Sequence, residues 1–262
     1  MSGGSTPQGG RASRMLCGIQ PVREAIRAHG AKLERVVVEA TASAASPQLD
    51  AVARFARDHG VRVERLARSE LDRIARGIRH QGAIAFAPEL ALSSLEDLVL
   101  DDAALVIALD EVQDTQNFGA VIRSAVAMGA TAILWPEHRS APLSPATFRA
   151  SAGAIEHAIL CRVPSLPPAL EALQHRGLAV VGLDIDGDLP LDRVQLARPV
   201  VLVVGAEDKG LRKTVKRVCD ARARLPMPGP IASLNASVAV AIALYEVVRQ
   251  RGATLRGAAE CA

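Results

Sequence analysis

Five stretches of this chain are apolar at nearly every residue: LVIALD (105–110), TAILWP (131–136), HAILCRV (157–163), LAVVGLD (178–184) and VVLVVG (200–205). A strand with one wet face alternates polar and apolar residues, so runs without alternation predict strands covered on both sides. Between them lie helix-like stretches such as FGAVIRSAVAMG (118–129) and SLPPALEALQHRG (165–177). The pattern predicts an α/β domain built on a parallel sheet, in which ligands collect where strands end and loops turn into helices. Polar residues gather at three such ends: Asp110 to Asn117, Asp184 to Asp188, and Gly205 to Lys209.

The front third reads differently. PVREAIRAHG (21–30) is a helix ending in a C-capping glycine, ERVVVE (34–39) a short β-branched strand, and LDAVARFARDHG (49–60) a second helix. VRVERL (61–66), SELDRIARG (69–77) with Ser69 as helix N-cap, and AIAFA (83–87) complete a small α/β domain over 15–88. Residues 1–14 are expected to be a disordered tail, and the acidic, turn-rich stretch 89–103 a linker to the larger domain at 104–262.

Charge separates the two parts. Residues 1–87 carry 14 Lys+Arg against 8 Asp+Glu, whereas the remainder carries 17 against 20. Clustered basic charge favours approach to a phosphate backbone, which points to a nucleic-acid-facing front domain; a solvated arginine-rich surface is the other reading. Aromatic residues are 2% of the chain, too few for single-strand binding by base stacking. Cys17, Cys161, Cys219 and Cys261 show no metal-ligand or disulfide spacing and are expected to be reduced thiols. With neither a signal-peptide core nor a membrane-length apolar run, the expected location is the cytoplasm.

GAEDKGLRKT (205–214) has the outline of a phosphate loop and fails as one. Lysine and threonine must follow the second glycine directly, whereas Leu211 and Arg212 intervene, and Glu207 and Asp208 put carboxylates where an anion would sit. Two readings remain: a structural tight turn, or a Gly205 that lets the backbone approach a ligand that is not strongly anionic.

Taken with NFGAVIRS (117–124) and LPMPGPIASLNASVAVAIALYE (225–246), the stretch VVGAEDKGL (203–211) resembles, in order and spacing, the three motifs of the SPOUT methyltransferases of the TrmH (SpoU) family. The front domain, GIQPVREAIRAHG (18–30) through RHQGAIAFA (79–87), resembles the ribosomal-protein-like substrate-binding domain of the ribosomal RNA 2′-O-methyltransferase branch. The resemblance implies a deep trefoil knot in the sheet domain, bent S-adenosylmethionine in the knotted loops, and a homodimer with its sites near the subunit interface. The implied substrate is a ribose, expected to be a guanosine's, in 23S ribosomal RNA. A transfer RNA methyltransferase of the same superfamily and a non-catalytic RNA-binding protein are the alternatives.

By matching position, the resemblance implies that Gly205, Leu225, Met227, Ser233, Leu234 and Asn235 bind the cofactor. Arg123, Asn117 and Glu207 take the catalytic roles. Arg123 either removes the 2′-hydroxyl proton or stabilises the forming alkoxide and positions the adjacent phosphate. Asn117 either caps its helix or orients Arg123 or the ribose, and Glu207 either fixes Arg123 or is a solvated loop carboxylate. Asp208 stands where the family usually has glycine, a departure that bears on the loop's conformation, and Pro230 and Ala236 are unusual in the third motif.

Overall fold

The computed structural model describes residues 13–40, 46–230 and 233–260, with side chains described as far as residue 252. Contacts divide the chain into two compact units, at residues 1–90 and 91–262. Most of the expected tail, residues 1–12, lies outside the described residues. Its last two residues already form sheet, since β1 (Ser13–Cys17) pairs along its whole length with β4 (Ala83–Pro88). Arg14 Nε donates to Pro88 O at 2.7 Å, which anchors this end of the strand.

The first unit is a four-stranded sheet in the order β1-β4-β2-β3, with β2 (Arg35–Glu39) and β3 (Val63–Leu66) forming its parallel pair. Helices α1 (Ile19–His29) and α2 (Pro47–Asp58) pack on each other. Helix α3 (Arg68–Ala75) sets Leu71 and Ala75 on Cys17, Val37 and Ile84. Gly30 caps α1 at φ 50°, as the sequence predicts. Ser69 does not cap α3: Ala67 is the N-cap, and Glu70 reaches back to accept from Ala67 N at 3.2 Å, so the helix starts one residue before Ser69.

The second unit is a parallel sheet in the order β7-β6-β5-β10-β8-β11-β9. Its strands are β5 (Leu105–Asp110), β6 (Ala132–Pro136), β7 (Leu160–Val163), β8 (Ala179–Leu183), β9 (Leu189–Pro190), β10 (Val200–Gly205) and β11 (Ala221–Arg224). All six residues of β5 and of β10 are buried, as runs without alternation require. Each fully buried Val or Leu contributes on the order of 1.5–3 kcal/mol, so these two central strands carry much of the core. One face is covered by α6 (Leu166–His175) and α7 (Lys213–Lys216), through Leu170, Leu173 and Val215. Helix α4 (Thr115–Ala127) packs on α5 (Pro145–Ala150) and on α8 (Ala236–Glu260), which in turn rests on β10.

Residues 91–103 are part of this unit, which corrects the expected linker. Leu98 is buried in its core with Leu95 and Leu100 against it, and Leu92 bridges to Leu160. Arg176 donates to Leu95 O at 2.7 Å and to Leu98 O at 2.5 Å. The acidic composition concealed leucines spaced to line one side of an irregular chain.

The register places three strand ends side by side. Gly205 pairs with Asp110, and Val204 with both Leu109 and Leu183. Chain order is β5, β6, β7, β8, β9 and then β10, so β10 lies between β5 and β8, two strands that precede it. The crevice at such a reversal of strand order is where open α/β sheets bind ligands.

Candidate active site

Helix α4 begins just beyond the end of β5. The Asp114 carboxylate accepts from Asn117 N at 2.7 Å, so Asp114 is the cap and Asn117 is freed from that task. The Asn117 side chain is buried, and its Oδ1 accepts from Asn235 Nδ2 at 2.7 Å. Arg123 projects from the same helix, exposed, and makes no hydrogen bond or ion pair among the described residues. Gly119, one turn before it, lets α5 approach, since a Cβ there would lie 2.4 Å from Ala150 Cβ.

Beyond β10 the chain doubles back. Gly210 N donates to Ala206 O at 2.8 Å, with Gly210 at φ 61°. A Cβ on Gly205 would sit 2.1 Å from the Gly210 carbonyl carbon and 2.5 Å from Leu211 N. Glycine at 205 therefore makes room for the loop's own return, as the tight-turn reading expects, and it also lines the cavity. Asp208 is absent from the residues with positive φ, so the loop needs no glycine there.

The same loop is held by a pair that sequence reasoning did not single out. Arg212 donates to Asp110 from its backbone N at 2.8 Å and from Nε at 2.6 Å. Asp110 is fully buried, and burial pushes its carboxyl upward, opposed by the Arg212 bonds. The available signal was an aspartate closing an otherwise apolar strand.

Asn235 caps α8, its Oδ1 accepting from Ser237 N at 2.9 Å. Its Nδ2 donates to Asn117 and also to Glu207 Oε1, and Glu207 Oε1 additionally accepts from Ala236 N at 3.3 Å. Glu207 thus joins the second motif to the third. Its bond to Arg123, expected from the sequence, is replaced by these contacts. Pro230 and Ala236 are accommodated at an exposed turn and in a buried first helical turn, respectively, while Ile231 and Ala232 of the third motif lie outside the described residues.

These loops enclose a cavity of about 490 Å³, within the range of small-molecule sites. Gly205, Glu207, Leu225, Met227, Ser233 and Leu234 line it, as do Asp184, Ile185 and Asp186 from the β8 end, which the sequence reading placed only as a polar cluster. Asn235 stands behind the wall through Glu207 and Asn117 behind Asn235, whereas Arg123 is outside the lining. The wall combines Val204, Leu225, Met227 and Leu234 with carboxylates at 184, 186, 207 and 208 and with Lys209, Lys216 and Arg224, of which Lys216 pairs with Asp184 at 2.6 Å. Apolar surface suits an adenine face, backbone groups its edge, and carboxylates a cationic sulfonium, so the residues present fit S-adenosylmethionine. The sulfonium supplies an electrophilic methyl carbon.

A parallel sheet whose strand-end loops close such a cavity is the arrangement of an α/β enzyme with a small-molecule site. Residues 104–245 match the model of the SpoU rRNA Methylase family, and residues 15–92 that of RNA 2′-O ribose methyltransferase substrate binding. The chain belongs to the SpoU rRNA methylase family and is an RNA 2′-O-ribose methyltransferase.

A relative from Mycolicibacterium vanbaalenii, named an uncharacterized tRNA/rRNA methyltransferase, is 39% identical over 91% of this chain and 77% of its own. The SpoU methyltransferase AviRb from Streptomyces viridochromogenes, solved with AdoMet, superposes at a TM-score of 0.75 with 25% identity, covering 92% of this chain and 91% of AviRb. An AdoMet-bound rRNA methyltransferase from Sinorhizobium meliloti superposes at 0.73 with 28% identity, over 90% and 87% of the two chains.

Proposed function

We propose that this enzyme transfers the methyl group of S-adenosylmethionine to the 2′-oxygen of a guanosine ribose in 23S ribosomal RNA, acting in the cytoplasm as a homodimer. The observation that carries the reading is the junction of Asn117, Asn235 and Glu207, which ties all three motifs to the rim of one cavity. Likeness over nearly the whole chain to an rRNA methyltransferase, front domain included, favours ribosomal over transfer RNA.

A ribose hydroxyl is a weak nucleophile at neutral pH, so the chain must align oxygen, methyl carbon and sulfur and ease departure of the O–H proton. Guanidinium groups are fixed in the charged form, which suits Arg123 to holding the neighbouring phosphate and stabilising the forming alkoxide while the proton passes to water. Asn117 holds the start of the helix that carries Arg123, and Glu207 fixes the cavity loop against α8.

The homodimer is supported by an apolar stripe on α8. Val238, Ile242, Tyr245 and Val248 are 45%, 41%, 60% and 43% exposed. With Ala120 and Ser124 of α4, the first three border a groove of about 460 Å³. Arg123 adjoins Ser124, so a second copy seated on this groove would lie beside it. The implied knot accords with β10 lying between β5 and β8 and with Asn235 held against the 205–210 loop.

The test incubates purified protein with tritiated S-adenosylmethionine and either 23S ribosomal RNA or bulk transfer RNA, then maps 2′-O-methyl marks. Label on one guanosine of 23S RNA is the expected result. Label on transfer RNA alone overturns the substrate assignment, and label on neither overturns the activity.

A further inference from the structure

Resting on the RNA-methyltransferase reading, we infer that Arg73, Arg76 and Arg79, at the end of α3 and on the loop 76–82, form the edge of the first unit that grips the RNA phosphate backbone. Five of the arginines elsewhere on this unit are committed to carboxylates. Arg27 pairs with Glu24, Arg65 with Asp50 and Arg68 with Glu39 at 2.5, 2.5 and 3.2 Å, and Arg35 and Arg62 both pair with Glu64. Arg73, Arg76 and Arg79 are exposed and have no such partner among the described residues.

The acids nearest to them in sequence are engaged elsewhere. Glu70 holds Ala67 N, and Asp72 accepts from His80 Nε2 at 2.8 Å. Three cationic forks therefore face solvent within seven residues.

The loop is held rather than loose. His80 is 3% exposed, and its Nδ1 accepts from Gly82 N at 3.0 Å, which leaves the ring hydrogen on Nε2 for Asp72. Gln81 Oε1 accepts from Ile19 N at 3.2 Å, and Ile78 packs on the core of Leu71, Ala75 and Ile84. Arg76, Gly77, Gln81 and Gly82 all have positive φ, at 48°, 84°, 52° and 80°. Ile78 and His80 point inward while Arg76 and Arg79 alternate with them on the exposed side. Guanidinium groups presented this way match phosphate oxygens without first ordering a loop, which is where binding free energy is commonly lost.

Arg54 and Arg57, on α2, likewise have no carboxylate partner among the described residues and provide a control of equal charge. The full chain carrying Arg76→Gln and Arg79→Gln is compared with one carrying Arg54→Gln and Arg57→Gln, using ribosomal RNA as the probe at graded KCl. The loop pair is expected to weaken binding roughly tenfold or more and to flatten the log–log salt dependence by about 1.4–1.8, as two lost phosphate contacts require. The α2 pair is expected to change both far less, and lysine at 76 and 79 to restore most of the affinity.

Far-UV circular dichroism and thermal unfolding of the full chain read the folding of the first unit independently of RNA and should be unaltered in every variant. Equal losses from the two pairs, or an unchanged salt slope in the loop pair, overturn the surface assignment while leaving the enzymatic reading intact. Wild-type protein that neither binds nor methylates ribosomal RNA overturns both.

Discussion

Asn235 Nδ2 donates to Asn117 Oδ1 at 2.7 Å, between residues 118 positions apart in the chain, and the same nitrogen donates to Glu207. Asn235→Ala removes a helix cap and strips the buried Asn117 oxygen of its donor, for an expected loss of about 2 kcal/mol. Asn235→Asp is expected to be worse at pH 7, because it replaces the donor with a carboxylate facing Glu207. Urea unfolding and initial methylation rates check the ranking; an Asp variant as stable as wild type contradicts the junction.

Gly205 and Gly210 separate two kinds of glycine requirement. At 205 the obstacle is backbone 2.1 Å from a new Cβ, whereas at 210 space is open and only φ 61° opposes a side chain. Gly205→Ala should displace the loop and cut cofactor affinity by an order of magnitude or more, while Gly210→Ala should cost about 1 kcal/mol in stability and much less affinity. Calorimetry on both proteins decides; similar affinities would remove the loop from the cofactor site.

Arg123 is outside the cavity lining and makes no hydrogen bond or ion pair among the described residues. Its replacement by alanine should lower kcat by about 10²–10³ with cofactor affinity and melting temperature preserved. Lysine should stay nearly inactive at every pH if a planar fork is needed, and recover as pH rises if proton removal is the task. Alanine with wild-type turnover withdraws the residue from catalysis.

On α8, Tyr245→Asp together with Ile242→Asp should give a monomer by sedimentation, because two carboxylates would then be buried in an apolar contact. Methyl transfer should fall with the dimer. A variant that remains dimeric shows that a different surface mediates association.

Burial, reinforced by Asp97 and Glu96 at one site and by Asp220, Asp110 and Asp184 at the other, pushes the Cys161 and Cys219 thiols up to about 11. At pH 8 the thiolate fraction should be about a hundredfold below that of an ordinary thiol, with iodoacetamide labelling of these two peptides slow in proportion. Because both folded values lie above the ordinary thiol value of 9.0, their contribution to stability is complete below about pH 9 and is lost as pH rises through about 11. Rapid labelling at pH 8 in the folded protein, followed by mass spectrometry, would contradict this.

The strands of the sheet domain were legible because burial on both faces leaves a local mark: every residue of LVIALD and VVLVVG is apolar except the closing Asp110 and Gly205. Asn117, Glu207 and Asn235 could each be selected from their motifs, but their bonds to one another could not, since the Asn235 amide reaches both only after the sheet has brought three strand ends together. What lies closest to Gly205 is hidden from the sequence for the same reason. A missing Cβ marks a close approach without saying what approaches, and here it is Gly210 of the same loop. The stretch 89–103 reads as a linker because composition records charge and turn propensity, whereas the groups that anchor 91–103, Arg176 and Leu160, come from distant sequence.

The separation between Asn117 and Asn235 also sets a timetable. A chain emerging from the ribosome can form β5 and α4 early, yet the amide that joins them to the cavity loop is made 118 residues after Asn117. Domains fold largely as they are synthesised, from the N-terminal end onward. The first unit is therefore available to hold RNA long before methyl transfer can occur, and unfinished chains stay silent toward the methyl donor throughout their own translation.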